Sequence, residues 1–281
     1  LGMNLADDYF DYKLDTTRIR QQVASEGIKT HLEKCHYILS GEATTRQLAV
    51  AFSCFLLLAG LAGLVVFLFR GWSVMLVALG GLLLVLAYSG GPLKLGYRGF
   101  GEITIGLMFG PLLMVGMSLA AIGEARFDVL LVSFAEGLLV TNIGYVHSVM
   151  DIRTDTLSNR KSFAVLLNNK RAMLVALGVF AFLPFVIVIA GVAAGILHWS
   201  SLFVLALVPL SVYLIYSAHC FVYEIDIPIV PKWWMGPMGD FESYRKADMD
   251  WFLLRWLVAR NIVMFFSLIL TICSVVAYFI A

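Results

Sequence analysis

Charge is what this chain has least of. Only 14% of its 281 residues are Asp, Glu, Lys or Arg, while 60% are hydrophobic, a balance far from that of a soluble globular domain. The composition is that of an integral membrane protein. Cysteine is scarce as well: Cys35, Cys54, Cys220 and Cys273 are widely separated and show no metal-ligand spacing. That excludes a disulfide framework and a cysteine-based zinc site, and leaves them as small packing residues. The net charge is +1, and no basic patch interleaved with aromatics gives the footprint of a nucleic-acid partner. Neither a signal peptide nor an internal repeat stands out, so residues 1–281 read as one domain.

What is present is a succession of apolar runs of about 20 residues, the length that crosses a hydrocarbon core. Seven are expected, over 49–69, 72–89, 101–122, 128–149, 173–196, 200–222 and 252–280. The fold class that follows is all-α, polytopic, with the lipid bilayer as solvent. The chain opens on Leu1, and a polar ladder suited to a helix end follows at once, so one or two further spans are expected upstream.

The loops between these runs differ sharply in positive charge. Lys13, Arg18, Arg20, Lys29, Lys34 and Arg46 precede the first run, and Lys94 and Arg98 lie between the second and third. Arg153, Arg160, Lys161, Lys170 and Arg171 follow the fourth, and Lys232, Arg245 and Lys246 the sixth. The alternate loops hold only Arg70 and Arg126. Cytoplasmic loops carry the Lys and Arg excess, so the first set is expected to face the cytoplasm.

Two carboxylate ladders open on that same side. Asn4, Asp8, Asp11 and Asp15 fall at i, i+4, i+7 and i+11, one stripe of a helix. Asp151 and Asp155 are again i, i+4, at the end of the fourth run. Acidic residues at a membrane boundary can be solvated caps. Like charges crowded on one face nevertheless disfavour each other's ionised form unless a cation intervenes. Magnesium, a hard ion that shares oxygen ligands with substrate phosphates, suits such a cage.

The ladders and their surroundings carry a resemblance. Asp7-Asp8-Tyr9-Phe10-Asp11-Tyr12-Lys13-Leu14-Asp15 resembles the first motif, N-D-x-x-D-x-x-x-D, of the UbiA superfamily of intramembrane prenyltransferases, with Asp7 where the family often has Asn. Asp151-Ile152-Arg153-Thr154-Asp155 resembles the second, D-x-x-x-D, and Asn159-Arg160-Lys161-Ser162-Phe163-Ala164-Val165 is similar to the family's G-K-[RK]-T-L-A-V. Tyr88-Ser89-Gly90-Gly91-Pro92-Leu93-Lys94, Tyr97-Arg98-Gly99-Phe100-Gly101-Glu102 and Phe109-Gly110-Pro111 resemble the menaquinone branch. That branch often has Arg immediately before its second motif, where this chain has Met150.

The resemblance implies a ring of nine transmembrane helices around a central cavity. It implies transfer of a polyprenyl group from a polyprenyl diphosphate donor to an aromatic acceptor, 1,4-dihydroxy-2-naphthoate foremost, with two magnesium ions bridging the diphosphate. Other acceptors of the superfamily are 4-hydroxybenzoate, homogentisate, chlorophyllide, haem and glycerol phosphate lipids. Asp8, Asp11 and Asp15 would hold one ion and Asp151 and Asp155 the other, with Asp8, Asp11, Asp151 and Asp155 central to catalysis. Asn4, Tyr88, Lys94, Arg98, His147, Arg153 and Lys161 would contact donor or acceptor. A transporter of divalent ions or anionic lipids is the alternative of another class, though acidic residues gathered at one face rather than near the midplane favour the enzyme.

Several of these residues have a second reading. Lys94 and Arg98 could be positive-inside anchors. His147, one turn before Asp151, could serve acceptor or base chemistry or be a hydrogen-bonded interfacial residue. Glu102 reads equally as a helix cap or an acceptor contact. Glu136 and Asn142 lie within a span, where polar groups are functional candidates, and for Glu136 an interhelical hydrogen bond is expected. The stretch 223–251, with Trp233, Trp234 and Trp251, is expected to lie in the interface or to cover the polar mouth.

Overall fold

Helix α1, Thr45–Arg70, starts where the Thr44 hydroxyl accepts from the backbone N–H of Gln47 while the Gln47 side chain accepts from the Thr44 N–H, a reciprocal capping box. It stops at Gly71, whose φ of 76° a residue with a side chain rarely adopts. Helix α2, Trp72–Ser89, returns. The computed structural model to which these helices belong describes residues 4, 5, 8, 9, 12, 38, 40–89, 92–158 and 160–280.

The third span is built from three pieces. Helix α3, Gly101–Leu107, passes through a π-helical turn over Met108–Leu112 into helix α4, Leu113–Ile122. Pro111 lies in that turn; it has no N–H to donate, and the wider turn accommodates the missing bond. Helix α5, Phe127–Met150, follows, and a short helix α6, Ile152–Leu157, extends it past a break at Asp151. Helix α7, Phe163–Leu167, precedes helix α8, Lys170–Ala193, whose Asn169 side chain caps the N–H groups of Arg171 and Ala172. A 3-10 stretch, Trp199–Leu207, runs into helix α9, Val208–Val222. After a long connection holding helix α10, Phe241–Lys246, helix α11 runs over Asp250–Ile280.

All seven expected runs are thus helical, six of them long and apolar enough to cross a membrane and Trp72–Tyr88 shorter. The protein is an integral, multi-pass, all-helical membrane protein. Among the described residues there is no strand, only one isolated bridge between Arg98 and Lys161. Half of the apolar window of α5 is buried and none of that of α1, so α5 is the inner axis and α1 faces outward.

Glycine sets how closely α5 is approached. A Cβ on Gly106 would stand 2.4 Å from the Gly137 carbonyl oxygen, and one on Gly110 would stand 2.5 Å from the Ser133 oxygen. Small residues let membrane helices approach backbone to backbone. On the other flank Glu136, buried in α5, accepts a 2.7 Å bond from the Ser267 hydroxyl of α11, the interhelical link expected of it. At the end away from the charged loops, Arg70 clasps α4 by donating to the Ala120 and Ala121 carbonyls.

The connection 223–249 returns to the helix that follows it. Its turn Trp233–Met235 doubles back along α11, where the Asn261 side-chain amide donates to the carbonyls of Met235 (2.8 Å) and Pro237 (3.1 Å) and Arg260 donates to Pro237 at 2.7 Å. Asn261 lies eleven residues past Asp250, about 16 Å along the helix. Met235 and Asn261 are fully buried, Trp233 is 93% exposed, and Trp251 stacks at 5.5 Å on Phe221. Trp234 stands edge-on to Tyr213 at 5.1 Å, so the three tryptophans expected to act alike do three different things.

Candidate functional site

The break between α5 and α6 gathers the second ladder. The Asp151 N–H still bonds the His147 carbonyl, and the Asp155 N–H bonds the Asp151 carbonyl at 2.8 Å, so the helical path continues across the break and both carboxylates share one face. That face is turned inward: Asp151 is 1% exposed and Asp155 3%. His147 stands one turn earlier, its Nε2 3.2 Å from Asp151 Oδ2 and its ring edge-on to Phe252 at 4.9 Å. Its side chain is 37% exposed, so an inward carboxylate orients an imidazole that still reaches the outside.

Arg153 lies between the two aspartates in sequence and on the reverse face of α6 in space. It is exposed and donates to Glu224 at 2.6 Å. The intervening arginine therefore does not share the surroundings of the buried pair.

The glycine-rich loop before α3 meets this junction. The Lys161 N–H donates to the Tyr97 carbonyl at 3.3 Å, which forms the Arg98 to Lys161 bridge, and the Arg160 guanidinium sits 5.5 Å over the Tyr97 ring. Gly99, at φ 85°, lies so close to Leu166 that any Cβ would overlap it. Tyr88 is buried beneath the loop, against Gly96 and Gly101. Lys94, in a left-handed backbone with φ 44°, and Arg98 and Lys161 keep their side chains exposed around the junction.

Glu102 fastens the whole arrangement. Its Oε1 accepts from the Ser148 hydroxyl near the end of α5 and from the Phe163 N–H at 3.1 Å, and the residue is 6% exposed. Neither reading of Glu102 from sequence anticipated this bond between three segments. The signal available was a carboxylate opening an apolar run, which does not name its partners.

Of the first ladder, Asn4 and Asp8 lie in helical residues, Asn4 exposed and Asp8 half-buried. Leu5 and Tyr9 on the same stretch pack on Ile38 and Leu48, and the Tyr9 ring is 5.6 Å from Phe52 of α1. Asp11 and Asp15 lie outside the described residues. Among the described residues no group of three or more His, Cys, Asp or Glu side chains could hold a metal ion. Of the carboxylates expected to hold metal, the pair Asp151 and Asp155 is buried side by side on one face. Nearby in sequence, the hydroxyls of Thr154 and Ser162 are buried with no hydrogen-bond partner among the described residues, which suits a polar ligand, since buried polar groups are otherwise paired. Within α5, Asn142 is 1% exposed with its Oδ1 likewise without a partner there.

The 1,4-dihydroxy-2-naphthoate octaprenyltransferase of Bacillus subtilis is 27% identical over 186 residues, 64% of this chain and 55% of that protein. The protein of the same name from Mycobacterium tuberculosis is 29% identical over 196 residues, 68% of this chain and 62% of its own length. The 2-carboxy-1,4-naphthoquinone phytyltransferase of Synechocystis is 27% identical over 216 residues, 76% of this chain and 65% of the relative. The chain thus spans less than two thirds of the length of each of these relatives, and no solved structure matches it. The profile of the UbiA prenyltransferase family matches residues 1–234, well over half of the sequence, and the chain belongs to that family.

Proposed function

We propose that the protein transfers a polyprenyl group from a polyprenyl diphosphate to an aromatic acceptor, 1,4-dihydroxy-2-naphthoate before others, as a step toward menaquinone. The observation that carries this reading is the buried pair Asp151 and Asp155, at a junction ringed by exposed cations, in a chain of the UbiA family. The named acceptors of the relatives, both naphthalene-derived, support the choice. In this reading the junction faces the cytoplasm, because the loops at that end hold nearly all the Lys and Arg outside the spans.

The donor set fits magnesium, which uses one or two carboxylates and completes its shell with substrate phosphates and water. Asp151 and Asp155 would hold one ion, and Asp8, Asp11 and Asp15 the other, with Asn4 adding an amide beside them. Bound there, magnesium supplies positive charge against the departing diphosphate. Lys94, Arg98 and Lys161 bind phosphate oxygens from the rim, in the charge-assisted geometry that favours such anions. His147, oriented through Nε2 by Asp151, takes the acceptor's hydroxyl proton as the ring attacks and returns it as the carboxylate leaves. Tyr88 supports the loop that carries Lys94 and Arg98. Diphosphate departs, the acceptor ring carbon bonds the prenyl carbon, and the acceptor's carboxylate leaves as carbon dioxide.

The test incubates the purified protein in detergent with magnesium, a labelled polyprenyl diphosphate and a panel of aromatic acceptors. Prenylated naphthoate is expected. No product with any acceptor would overturn the reading, and faster turnover of another acceptor would overturn the choice of naphthoate.

A further inference from the structure

On the reverse face of α6 lies a cavity of about 610 Å³ where the ends of α5, α8 and α9 meet. Its floor is apolar and includes Met150, Met173 and Phe221. Its rim carries Arg153, Lys170 and Glu224. Three spans end at this level: Met150 closes α5, Lys170 opens α8 and Val222 closes α9. The cavity therefore sits where lipid headgroups meet the hydrocarbon.

We propose that it binds an anionic phospholipid, with the phosphate between Arg153 and Lys170 and an acyl chain on the apolar floor. Two cations and one carboxylate leave the rim net positive, and basic pockets between membrane helices are suited to anionic headgroups. A free phosphate would satisfy the rim but leave the floor without a partner; a lipid satisfies both. The end of α8 adds little, because the Asn169 side chain already occupies the N–H groups of Arg171 and Ala172. Recognition therefore falls to the side chains.

Glu224 gives the rim its adjustable part. Its backbone is left-handed at φ 58°, unusual for a residue with a side chain, and its carboxylate holds Arg153 at 2.6 Å. Lys170 lies 5.2 Å over the ring of Tyr223, the neighbour of Glu224. An arriving phosphate competes with Glu224 for Arg153. The headgroup and the buried aspartates are thus served from opposite faces of one short helix, and the inference stands whatever acceptor the enzyme uses.

The full-length chain is stripped of lipid in a neutral detergent, and thermal unfolding is followed as phosphatidylglycerol, phosphatidylcholine or inorganic phosphate is added. Phosphatidylglycerol is expected to raise the midpoint by about 3 °C or more at saturation, with the other two ineffective. Arg153→Ala or Lys170→Ala should weaken its apparent affinity about tenfold, Glu224→Gln should strengthen it, and Asp151→Asn should leave it unchanged. All three rim side chains are exposed, so these variants are expected to fold. Equal responses to phosphatidylglycerol and phosphatidylcholine, or an undiminished response in both cation variants, would overturn the proposal. Saturation by inorganic phosphate alone would overturn the lipid as its source, and displacement by 1,4-dihydroxy-2-naphthoate would overturn it in favour of an acceptor site.

Discussion

Glu102 and Ser148, forty-six residues apart in sequence, share a buried hydrogen bond. Through it the first turn of α3 grips the last turn of α5, one turn ahead of Asp151. The same carboxylate oxygen receives the Phe163 N–H, so one side chain sets where the second ladder begins and where the following segment departs.

Removing that carboxylate leaves the partly buried Phe163 N–H without its acceptor and leaves the Ser148 hydroxyl only the Gly144 carbonyl at 3.2 Å. Glu102→Ala should therefore cost about 1–3 kcal/mol of stability, read as a lowered unfolding midpoint in detergent. Glu102→Gln keeps an acceptor oxygen and should lose less. Ser148→Ala removes one donor only, and its effect should be smaller still.

Asp151→Asn and Asp155→Asn preserve volume and remove charge. Prenyl transfer should fall at least about a hundredfold in each, while the unfolding midpoint stays near that of the parent. A chelator added to the parent should abolish turnover, and excess magnesium should restore it. Retained magnesium-dependent turnover in both variants would remove the cage from the mechanism.

Gly106→Val inserts a side chain where the Gly137 carbonyl already lies 2.4 Å from the position of a Cβ. Separation of α3 from α5 should cost about 1–3 kcal/mol. Gly60→Val, on the outward-facing α1 where nothing lies within 4 Å of a Cβ, serves as the control and should leave the midpoint nearly unmoved.

Glu136 and Ser267 offer a quantitative check inside the bundle. A double-mutant cycle with Glu136→Ala and Ser267→Ala should give a coupling of about 0.6 kcal/mol, the average for hydrogen bonds between membrane helices. A coupling near zero would mean that the 2.7 Å contact contributes nothing net.

The spans were legible because hydrophobic length alone specifies them; each expected run is helical to within about four residues at either end. The α8 run starts three residues earlier than expected because Asn169 caps it there, which places Lys170 and Arg171 inside a helix that hydropathy excludes them from. The pairing of Asp151 with Asp155 was legible too, since i, i+4 spacing dictates a common face. What periodicity could not supply was the third dimension. Nothing in the run Asp151-Ile152-Arg153 says that Arg153 turns away toward Glu224, a partner 71 residues distant. The backbone link from Lys161 to Tyr97 was equally hidden, because a side-chain motif gives no notice of which main-chain groups will meet. The grip of Asn261 on two carbonyls was hidden for a related reason: an amide within an apolar helix announces a polar partner but not its address.

That last grip bears on how the protein is made. Met235 and Pro237 are synthesised before Asn261, yet their carbonyls have no side-chain amide to receive until α11 has entered the bilayer and brought it alongside. The connection between α9 and α11 therefore cannot make these bonds before the following helix lies beside it. At this end of the bundle α11 is the clasp that fastens what precedes it in the chain.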